Sequence, residues 1–270
     1  KKWDDPALWL TLQRVSKDFT ASFYLAALDR KYDEKGEIVM ADELYQIYVP
    51  ILIKTLWLSA VITVICFLLA FPVSYLLSTL PLRASNLLMI LVLLPFWTSL
   101  LVRTTAWIAM LQTEGIINDF LVFLGVIGDE GRIQMIYNQT GTIIAMVHIL
   151  LPFMILPLFS VMKTIPPYYM RAAKSMGAST TYAFIKVYFP QTIPGIAAGT
   201  LLVFILAIGY YITPALVGGN DGLLISNLIA DHIRKTLNWS LGAALGSILL
   251  AVVLILYWMY NKLVGVDKLK

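Results

Sequence analysis

Charge is scarce in this sequence. Only 13% of its 270 residues are Asp, Glu, Lys or Arg, whereas 59% are hydrophobic and the mean hydropathy is +0.79. A soluble domain carries roughly 25% charged and about 45–50% apolar residues. A single core of this size cannot bury such an excess of apolar side chains. The composition therefore excludes an ordinary soluble enzyme or binding domain.

Cysteine and the common catalytic motifs are also missing. Cys66 is the single cysteine and lies in an apolar run, so a disulfide framework within the chain is excluded and we expect Cys66 to serve packing. The chain has no G-x-x-x-x-G-K-[ST] loop for ATP, no C-x-x-C and no H-E-x-x-H. We therefore predict no catalytic residue, no metal ligand and no cofactor held by this chain.

Five intervals of 19 to 34 residues contain no charged side chain at all. A helix needs about 20 apolar residues to cross a bilayer, whereas a β-barrel shows short alternating segments. The sequence therefore predicts an all-α integral membrane fold with five transmembrane helices. We place them at 52–79, 86–111, 140–162, 196–217 and 241–261.

No Asp or Glu lies within any of these predicted spans. Ion-coupled transporters usually carry carboxylates inside the membrane. This absence disfavours a self-contained secondary transporter and favours an energy source outside the chain.

The loops between the spans differ in charge from one side to the other. The segment 163–195 carries four basic residues and no acid, and the tail from 262 has three lysines and one aspartate. On the other side, the loop 112–139 has a net charge of −3, and residues 1–49 have seven basic and nine acidic residues. Basic loops stay in the cytoplasm. The sequence therefore predicts residues 1–49 outside and the C-terminus inside, and we expect a sixth, N-terminal span that this sequence lacks.

The domain organisation follows from the same pattern. Residues 1–49 form a polar segment that could contain short surface helices, residues 50–265 form the membrane domain, and 266–270 form the tail. The basic segment 163–195 is too long for a plain connection. Pro166 and Pro167 predict a helix start, Gly177 predicts its end, and Pro190 with Pro194 is expected to end a second short helix before the next span.

The segment 163–195 resembles the EAA loop of ATP-binding-cassette (ABC) importer permeases of the type I fold. Ala172, Ala173, Gly177 and Pro190 match the pattern of that loop, and Arg171 stands where the pattern has glutamate. Within the family, the chain most resembles the spermidine/putrescine permease branch over roughly residues 45–265. Further stretches that carry this resemblance are Leu94–Thr98, Gly125–Ile127, Leu150–Met154 and Val217–Gly219.

The resemblance implies a transport subunit without catalysis of its own, in a bacterial inner membrane. Implied partners are a second permease subunit, two ATPase subunits that hold ATP and Mg²⁺, a periplasmic substrate-binding protein and membrane lipid, but no nucleic acid. Arg171, Ala172, Ala173, Gly177 and Pro190 would couple the permease to the ATPase, with Ala172 and Ala173 presenting a thin surface for close approach. Replacing Arg171 by glutamate would retain assembly, unless the partner groove carries an acid that pairs with Arg171.

Proline-broken spans with nearby aromatic rings are candidates for the substrate pathway, because freed backbone carbonyls are tolerated only in protein or beside water. Pro95, Pro152 and Pro157 are such positions. Each type of candidate residue also has a structural alternative to a role in the pathway. The rings could pack in the core, the histidine could form a helix–helix hydrogen bond, and the arginine could snorkel to the membrane surface. The candidate pathway residues are Trp97, Arg103, Trp107, His148, Tyr210, Tyr211 and Pro214.

A membrane scaffold that binds lipid head groups through its basic loop is the alternative function. Copurification separates the two, because a permease brings down an ATPase at near-equal amounts and a scaffold does not.

Overall fold

The computed structural model of the chain describes Trp9, residues 20–33 and residues 36–264, with the side chains of 263 and 264 left undescribed. The tail predicted at 266–270 lies outside this range. The described part is predominantly helical. Its helices are α1 (Ser22–Ala27), α2 (Tyr48–Thr79), α3 (Leu82–Leu93), α4 (Leu100–Leu111), α5 (Ile116–Phe123), α6 (Gln139–Thr164), α7 (Tyr168–Ser175), α8 (Thr180–Ala183), α9 (Phe189–Gly209), α10 (Ile212–Val217), α11 (Ile225–Arg234) and α12 (Trp239–Val264).

Among the described residues, four helical stretches are long and apolar enough to cross a membrane. A bent pair, Leu82–Trp97 with Leu100–Phe123, raises the number to five if it forms one span. The four are α2, α6, the continuous run Thr180–Gly209 and α12. Three of the predicted spans therefore match helices closely, since 52–79, 140–162 and 241–261 fall within α2, α6 and α12. The prediction of an all-helical membrane fold is confirmed, and the count of five holds only if the bent pair is one span.

The second predicted span, 86–111, is not one straight helix. A 3₁₀ turn, Leu94–Trp97, follows α3, and the chain bends by 95° before continuing from Leu100. Pro95 has no backbone N–H to donate, and Ser99 has a non-helical, extended backbone conformation before α4 begins. The break that Pro95 predicted within this span is therefore present.

The fourth predicted span, 196–217, is displaced along the chain. The helical run starts at Thr180 and ends at Gly209, and α10 is a separate short helix. Pro190 and Pro194 therefore do not end a helix, contrary to the sequence prediction. A π-helical turn, Phe184–Tyr188, precedes Pro190, and the Phe189 N–H donates to the Phe184 carbonyl five residues back. This wider turn carries the helix past the proline, which has no N–H of its own.

The described residues divide into two compact units. One consists of residues up to Leu56 together with Leu224–Leu256, and the other consists of Trp57–Leu223 with the residues from Tyr257 onward. The second unit has its core around α6, whose buried side chains, such as Leu150, pack against α2 and α9.

Two glycines let α9 lie close against α6. A Cβ atom on Gly195 would stand 3.0 Å from the Cβ of Val161, and one on Gly199 would stand 2.7 Å from the Sδ of Met154. Their spacing of four residues places both on one face of α9. Small residues at this spacing allow membrane helices to approach closely, so this pair fixes the main helix packing of the second unit.

The first unit contains a small antiparallel hairpin that the sequence did not predict. Strand β1 (Arg30–Tyr32) pairs with β2 (Ile38–Met40), with Arg30 opposite Met40. Asp29 precedes β1 and is 4% exposed. Its carboxylate accepts hydrogen bonds from the backbone N–H groups of residues 47, 48 and 49 at 2.8 to 3.1 Å. A carboxylate at a helix N-terminus is stabilising, so Asp29 fixes the start of α2.

Candidate functional site

Helix α7 is the short helix that follows the tandem prolines. Pro167 is its N-cap residue and already has helical backbone angles, so the predicted helix start is confirmed. The helix ends in a Schellman motif. Gly177 has φ +91°, its N–H donates to the Lys174 carbonyl at 3.0 Å, and the Ala178 N–H donates to the Ala173 carbonyl at 3.1 Å. The end predicted at Gly177 is therefore confirmed, and the left-handed conformation is the reason for glycine there.

The two faces of α7 differ in exposure. Ala173 is buried within the chain, and Met170 on the same face packs against the core of the second unit. The opposite face is open to solvent and carries Tyr168, Arg171, Ala172 and Ser175. The predicted thin surface for an approaching protein therefore consists of Ala172, whereas Ala173 faces inward.

An aromatic cluster joins the segment after α7 to helix α2. The ring of Tyr75 on α2 lies 5.6 Å from that of Phe184 and 5.3 Å from that of Tyr188, both edge to face. Phe184 also contacts Phe71 at 6.3 Å between centroids. Edge-to-face ring pairs stabilise packing beyond the contribution of the apolar surface that they bury. The π-helical turn, which carries Phe184 and Tyr188, is therefore held directly on α2. Sequence reasoning missed this cluster, because the rings on α2 are more than 100 residues away along the chain.

Beside α7 lies an open groove of about 500 Å³. Its walls include Ala173, Gly177, Ser179 and Tyr182. Met176 also lines it and is 83% exposed. The groove and the open face of α7 together form a surface on which small and apolar side chains predominate.

Two of the predicted pathway residues, Trp107 and His148, are in contact in the second unit. The Trp107 indole N–H donates to Nδ1 of His148 at 3.1 Å, and the two rings meet edge to face. Because an indole can only donate, His148 accepts at Nδ1 and is a neutral imidazole with its proton on Nε2. Tyr210 is half-buried and packs against the core of the same unit. The structural alternative for His148, a helix–helix hydrogen bond, is thus what the structure contains, between α4 and α6.

Arg103 donates hydrogen bonds to backbone carbonyls at the bend in the second span. Its guanidinium donates to the backbone carbonyl of Pro95, and to the carbonyl of Thr98 at 3.1 Å. Nε of Arg103 lies 3.4 Å from the Thr98 hydroxyl. Carbonyls at the end of a helical turn lack internal partners and carry partial negative charge. The arginine therefore binds the chain's own backbone at the bend, an arrangement that the sequence did not indicate.

The other predicted pathway residues are placed differently. Trp97 is 88% exposed at the end of the 3₁₀ turn. Pro214 is buried in α10, where the neighbouring Thr213 hydroxyl lies 3.4 Å from that of Thr104 on α4. Tyr211 is half-buried at the start of α10. The structure thus brings α10 next to α4. Trp97, in contrast to Pro214 and Tyr211, is largely exposed.

Pro152 and Pro157 do not break their helix, because α6 is continuous from Gln139 to Thr164. Each still removes one helical donor. The carbonyl of His148, four residues before Pro152, therefore lacks its usual N–H partner from residue 152 and is an acceptor beside the Trp107–His148 pair.

The two histidines have separate partners. Nε2 of His232 lies 3.0 Å from the Tyr48 hydroxyl, and its Nδ1 lies 3.2 Å from the Thr236 hydroxyl, all within the first unit. Among Trp9, 20–33 and 36–264, no group of three or more His, Cys, Asp or Glu side chains could hold a metal ion.

A family model for the inner membrane components of binding-protein-dependent transport systems matches residues 57–264. The spermidine/putrescine transport system permease protein PotB of Escherichia coli K12 is 35% identical over 222 residues, covering 81% of this chain and 80% of its own. Its Haemophilus influenzae counterpart is 34% identical, with 81% and 77% covered. The inner membrane ABC transporter permease protein YdcU of Escherichia coli K12 is 29% identical over 225 residues, with 80% and 71% covered.

Solved structures show the same fold. A bacterial ABC transporter that imports the acidic polysaccharide alginate superposes with a TM-score of 0.73 at 15% identity, covering 96% of this chain and 88% of that one. The alginate transporter in complex with a pentasaccharide-bound periplasmic protein gives a TM-score of 0.67. The family match sets aside the lipid-binding scaffold as the function. The chain belongs to the family of binding-protein-dependent transport system inner membrane components and is a permease subunit of an ABC importer.

Proposed function

We propose that this permease imports polyamines, such as spermidine or putrescine, or a similar small solute. The observation that carries this proposal is the 35% identity with spermidine/putrescine permeases over 81% of the chain. In the proposed complex, a second permease subunit completes the pathway, two ATPase subunits hold ATP and Mg²⁺, and a periplasmic protein delivers the substrate. The transport subunit itself is not an enzyme.

The coupling step uses α7. A short helix transmits force only if it is stiff, and α7 is fixed at its start by Pro167 and at its end by the Schellman motif at Gly177. Movement of α7 and the π-helical turn reaches the membrane through the contacts of Phe184 and Tyr188 with Tyr75 on α2. ATP-driven closure of the ATPases would then rock the spans between inward-open and outward-open states.

The pathway is proposed to run past Trp107, His148 and Tyr210. Ring faces attract ammonium groups by about 0.5–2 kcal/mol each, and the carbonyl of His148 supplies a hydrogen-bond acceptor. Backbone carbonyls hold the guanidinium of Arg103 at the bend, but they do not cancel its positive charge. Since no Asp or Glu lies in the predicted spans, the negative charge that neutralises a polyamine would come from the second permease subunit.

We expect bulk at Ala172 to weaken ATPase binding. Because Ala172 lies on the open face of α7, Ala172→Trp is expected to lower copurified ATPase at normal permease expression. Overpacking a tight contact costs about 1–3 kcal/mol, and this range corresponds to roughly five- to 150-fold in affinity. The measurement is the molar ratio of ATPase to permease after affinity purification.

Ala173→Trp is the matched variant on the buried face. It should disturb the packing of the chain itself, and therefore lower the yield of folded permease rather than the ATPase ratio. An unchanged ATPase ratio in Ala172→Trp, at several salt concentrations, would show that this face does not dock the ATPase.

The topology proposed for the bacterial inner membrane places residues 1–49 in the periplasm and the segment 163–195 with the C-terminus in the cytoplasm. In a background without Cys66, a cysteine at position 44, where Leu44 is 90% exposed, is expected to react with an impermeant reagent in intact cells. A cysteine at the exposed position of Ser175 should react only after the cells are opened. Labelling of the Ser175→Cys variant in intact cells would mean that the segment 163–195 faces the periplasm, contrary to the proposed topology.

The test of the proposed function is the ATPase activity of the purified complex in lipid bilayers. A periplasmic protein loaded with spermidine is expected to stimulate ATP hydrolysis, and the same protein without ligand is expected to stimulate it less. If spermidine and putrescine have no effect while another solute stimulates, the substrate is a different one. If no ATPase copurifies with the permease, the proposed assembly is wrong.

A further inference from the structure

The open face of α7 carries Arg171 as its charged side chain, within a segment that contains no acid. Segment 163–195 contains Lys163, Arg171, Lys174 and Lys186 and no Asp or Glu. All four of these side chains are exposed. Arg171 and Lys174 are three residues apart on α7, a spacing at which like charges repel. In the part of the chain that the structure describes, the ion pairs are made by other residues, namely Lys31, Arg132 and Lys235 with nearby aspartates.

Arg171 is the basic residue best placed to meet another protein. It lies on the face of α7 opposite the buried Ala173, and Ala172 and Ser175 flank it on that face. Ala172 and Ser175 are short, whereas Tyr168, one turn earlier on that face, is bulky and 58% exposed. A partner could therefore reach the guanidinium from the side of Ala172 and Ser175. The rigid end of α7 at Gly177 keeps this arrangement in place.

We infer that the surface which receives α7 on the ATPase subunit is acidic, with at least one carboxylate opposite Arg171. This inference rests on the proposed function, since it names the chemistry of the partner at the proposed docking face. Arg171 stands where the loop pattern has glutamate, so a surface suited to glutamate would repel this chain. An arginine and a carboxylate make a two-pronged, charge-assisted hydrogen bond that specifies geometry as well as charge. Arg171→Glu is therefore expected to lose assembly, which is the exception that the sequence-based expectation of retained assembly allowed.

An acidic receiving surface would also restrict which permeases the ATPase can bind. A charge reversed on one side of an interface requires a reversed charge on the other, because like charges that face each other suppress the wrong pairing. The ATPase of this importer should therefore assemble poorly with a permease that carries glutamate at the position of Arg171.

The experiment measures copurified ATPase for three permease variants in the intact importer. Arg171→Glu is expected to lower the ATPase-to-permease ratio by about tenfold or more, and Arg171→Gln by less, since it removes the attraction without adding repulsion. Arg83→Glu is the matched control, because Arg83 is also an exposed arginine and lies in α3, four residues after the end of α2; its ratio should equal that of the unchanged protein. The ratio of the unchanged protein should fall with increasing salt, and that of Arg171→Gln should fall less steeply.

The outcomes separate this inference from the function on which it rests. If Arg171→Glu retains the full ATPase ratio while the unchanged protein brings down ATPase, the acidic surface is refuted and the docking proposal stands. If the unchanged protein brings down no ATPase, the proposed function fails first. If Arg171→Glu keeps its ATPase but loses copurified phosphatidylglycerol, measured by mass spectrometry, an anionic lipid head group is the partner of Arg171 and the inference is overturned.

Discussion

Replacing Gly177 by proline is expected to abolish stimulation of the ATPase by the loaded binding protein, while insertion into the membrane remains intact. Gly177 has φ +91°, which proline cannot adopt because its ring holds φ near −65°. Proline also lacks the N–H that donates to the Lys174 carbonyl. A proline that breaks a helical bond costs about 3 kcal/mol or more. The loss would fall on the end of α7, so the coupling helix would no longer be stiff.

Gly177→Asn is the control for this prediction. Asparagine enters the left-handed region more readily than other residues with a Cβ, and a Cβ at position 177 would meet nothing within 4 Å. This variant should therefore retain most of the stimulation. ATP hydrolysis by reconstituted complexes measures both variants, and stimulation of Gly177→Pro equal to that of the unchanged protein would mean that the Schellman end of α7 has no part in coupling.

Replacing Arg103 by methionine is expected to reduce substrate uptake by at least about tenfold and to lower the thermal stability of the purified permease. The guanidinium engages the carbonyls of Pro95 and Thr98 at the 95° bend. Hydrogen bonds to a charged group contribute about 1.5–3 kcal/mol each. The Pro95 carbonyl would keep the N–H and the hydroxyl of Thr98 as partners, so the loss would fall on the link between α4 and the bend.

The uptake and the melting temperature of Arg103→Lys should lie between those of Arg103→Met and those of the unchanged protein, since an ammonium supplies charge without the planar fork. Arg83→Met, which removes an exposed arginine, should leave uptake and melting temperature unchanged. If Arg103→Met transports and melts like the unchanged protein, the arginine does not hold the bend. If it transports more polyamine at unchanged stability, Arg103 acts on the substrate as a repelling charge instead.

Much of the fold could be predicted from the sequence because membrane crossing depends on apolar length, which composition records directly. The helices α2, α6 and α12 illustrate this. Breaks depend on local backbone chemistry and are harder to predict. Pro95 breaks its span, whereas Pro152 and Pro157 sit inside a continuous helix. The residues next to these prolines do not separate the cases, and the contact of Arg103 with the carbonyls at the bend is seen only in the folded chain.

The ends of α7 were predictable, but the exposure of its two faces was not. Tandem prolines and a glycine have strong local conformational effects, so the start and end of α7 followed from the sequence. Which of Ala172 and Ala173 faces outward depends on packing against distant helices. The GxxxG pair, Gly195 and Gly199, was a readable signal that the sequence analysis passed over.

ATP-dependent uptake of radiolabelled spermidine tests the account most directly. Proteoliposomes would contain this permease, its partner permease and the ATPase subunits, with the periplasmic protein and spermidine on the opposite side of the membrane from ATP. The account predicts spermidine accumulation that requires ATP, competes with unlabelled putrescine and disappears when the ATPase subunits are omitted. Uptake that proceeds equally without ATP, or a complete complex that hydrolyses ATP but moves no polyamine, would contradict it.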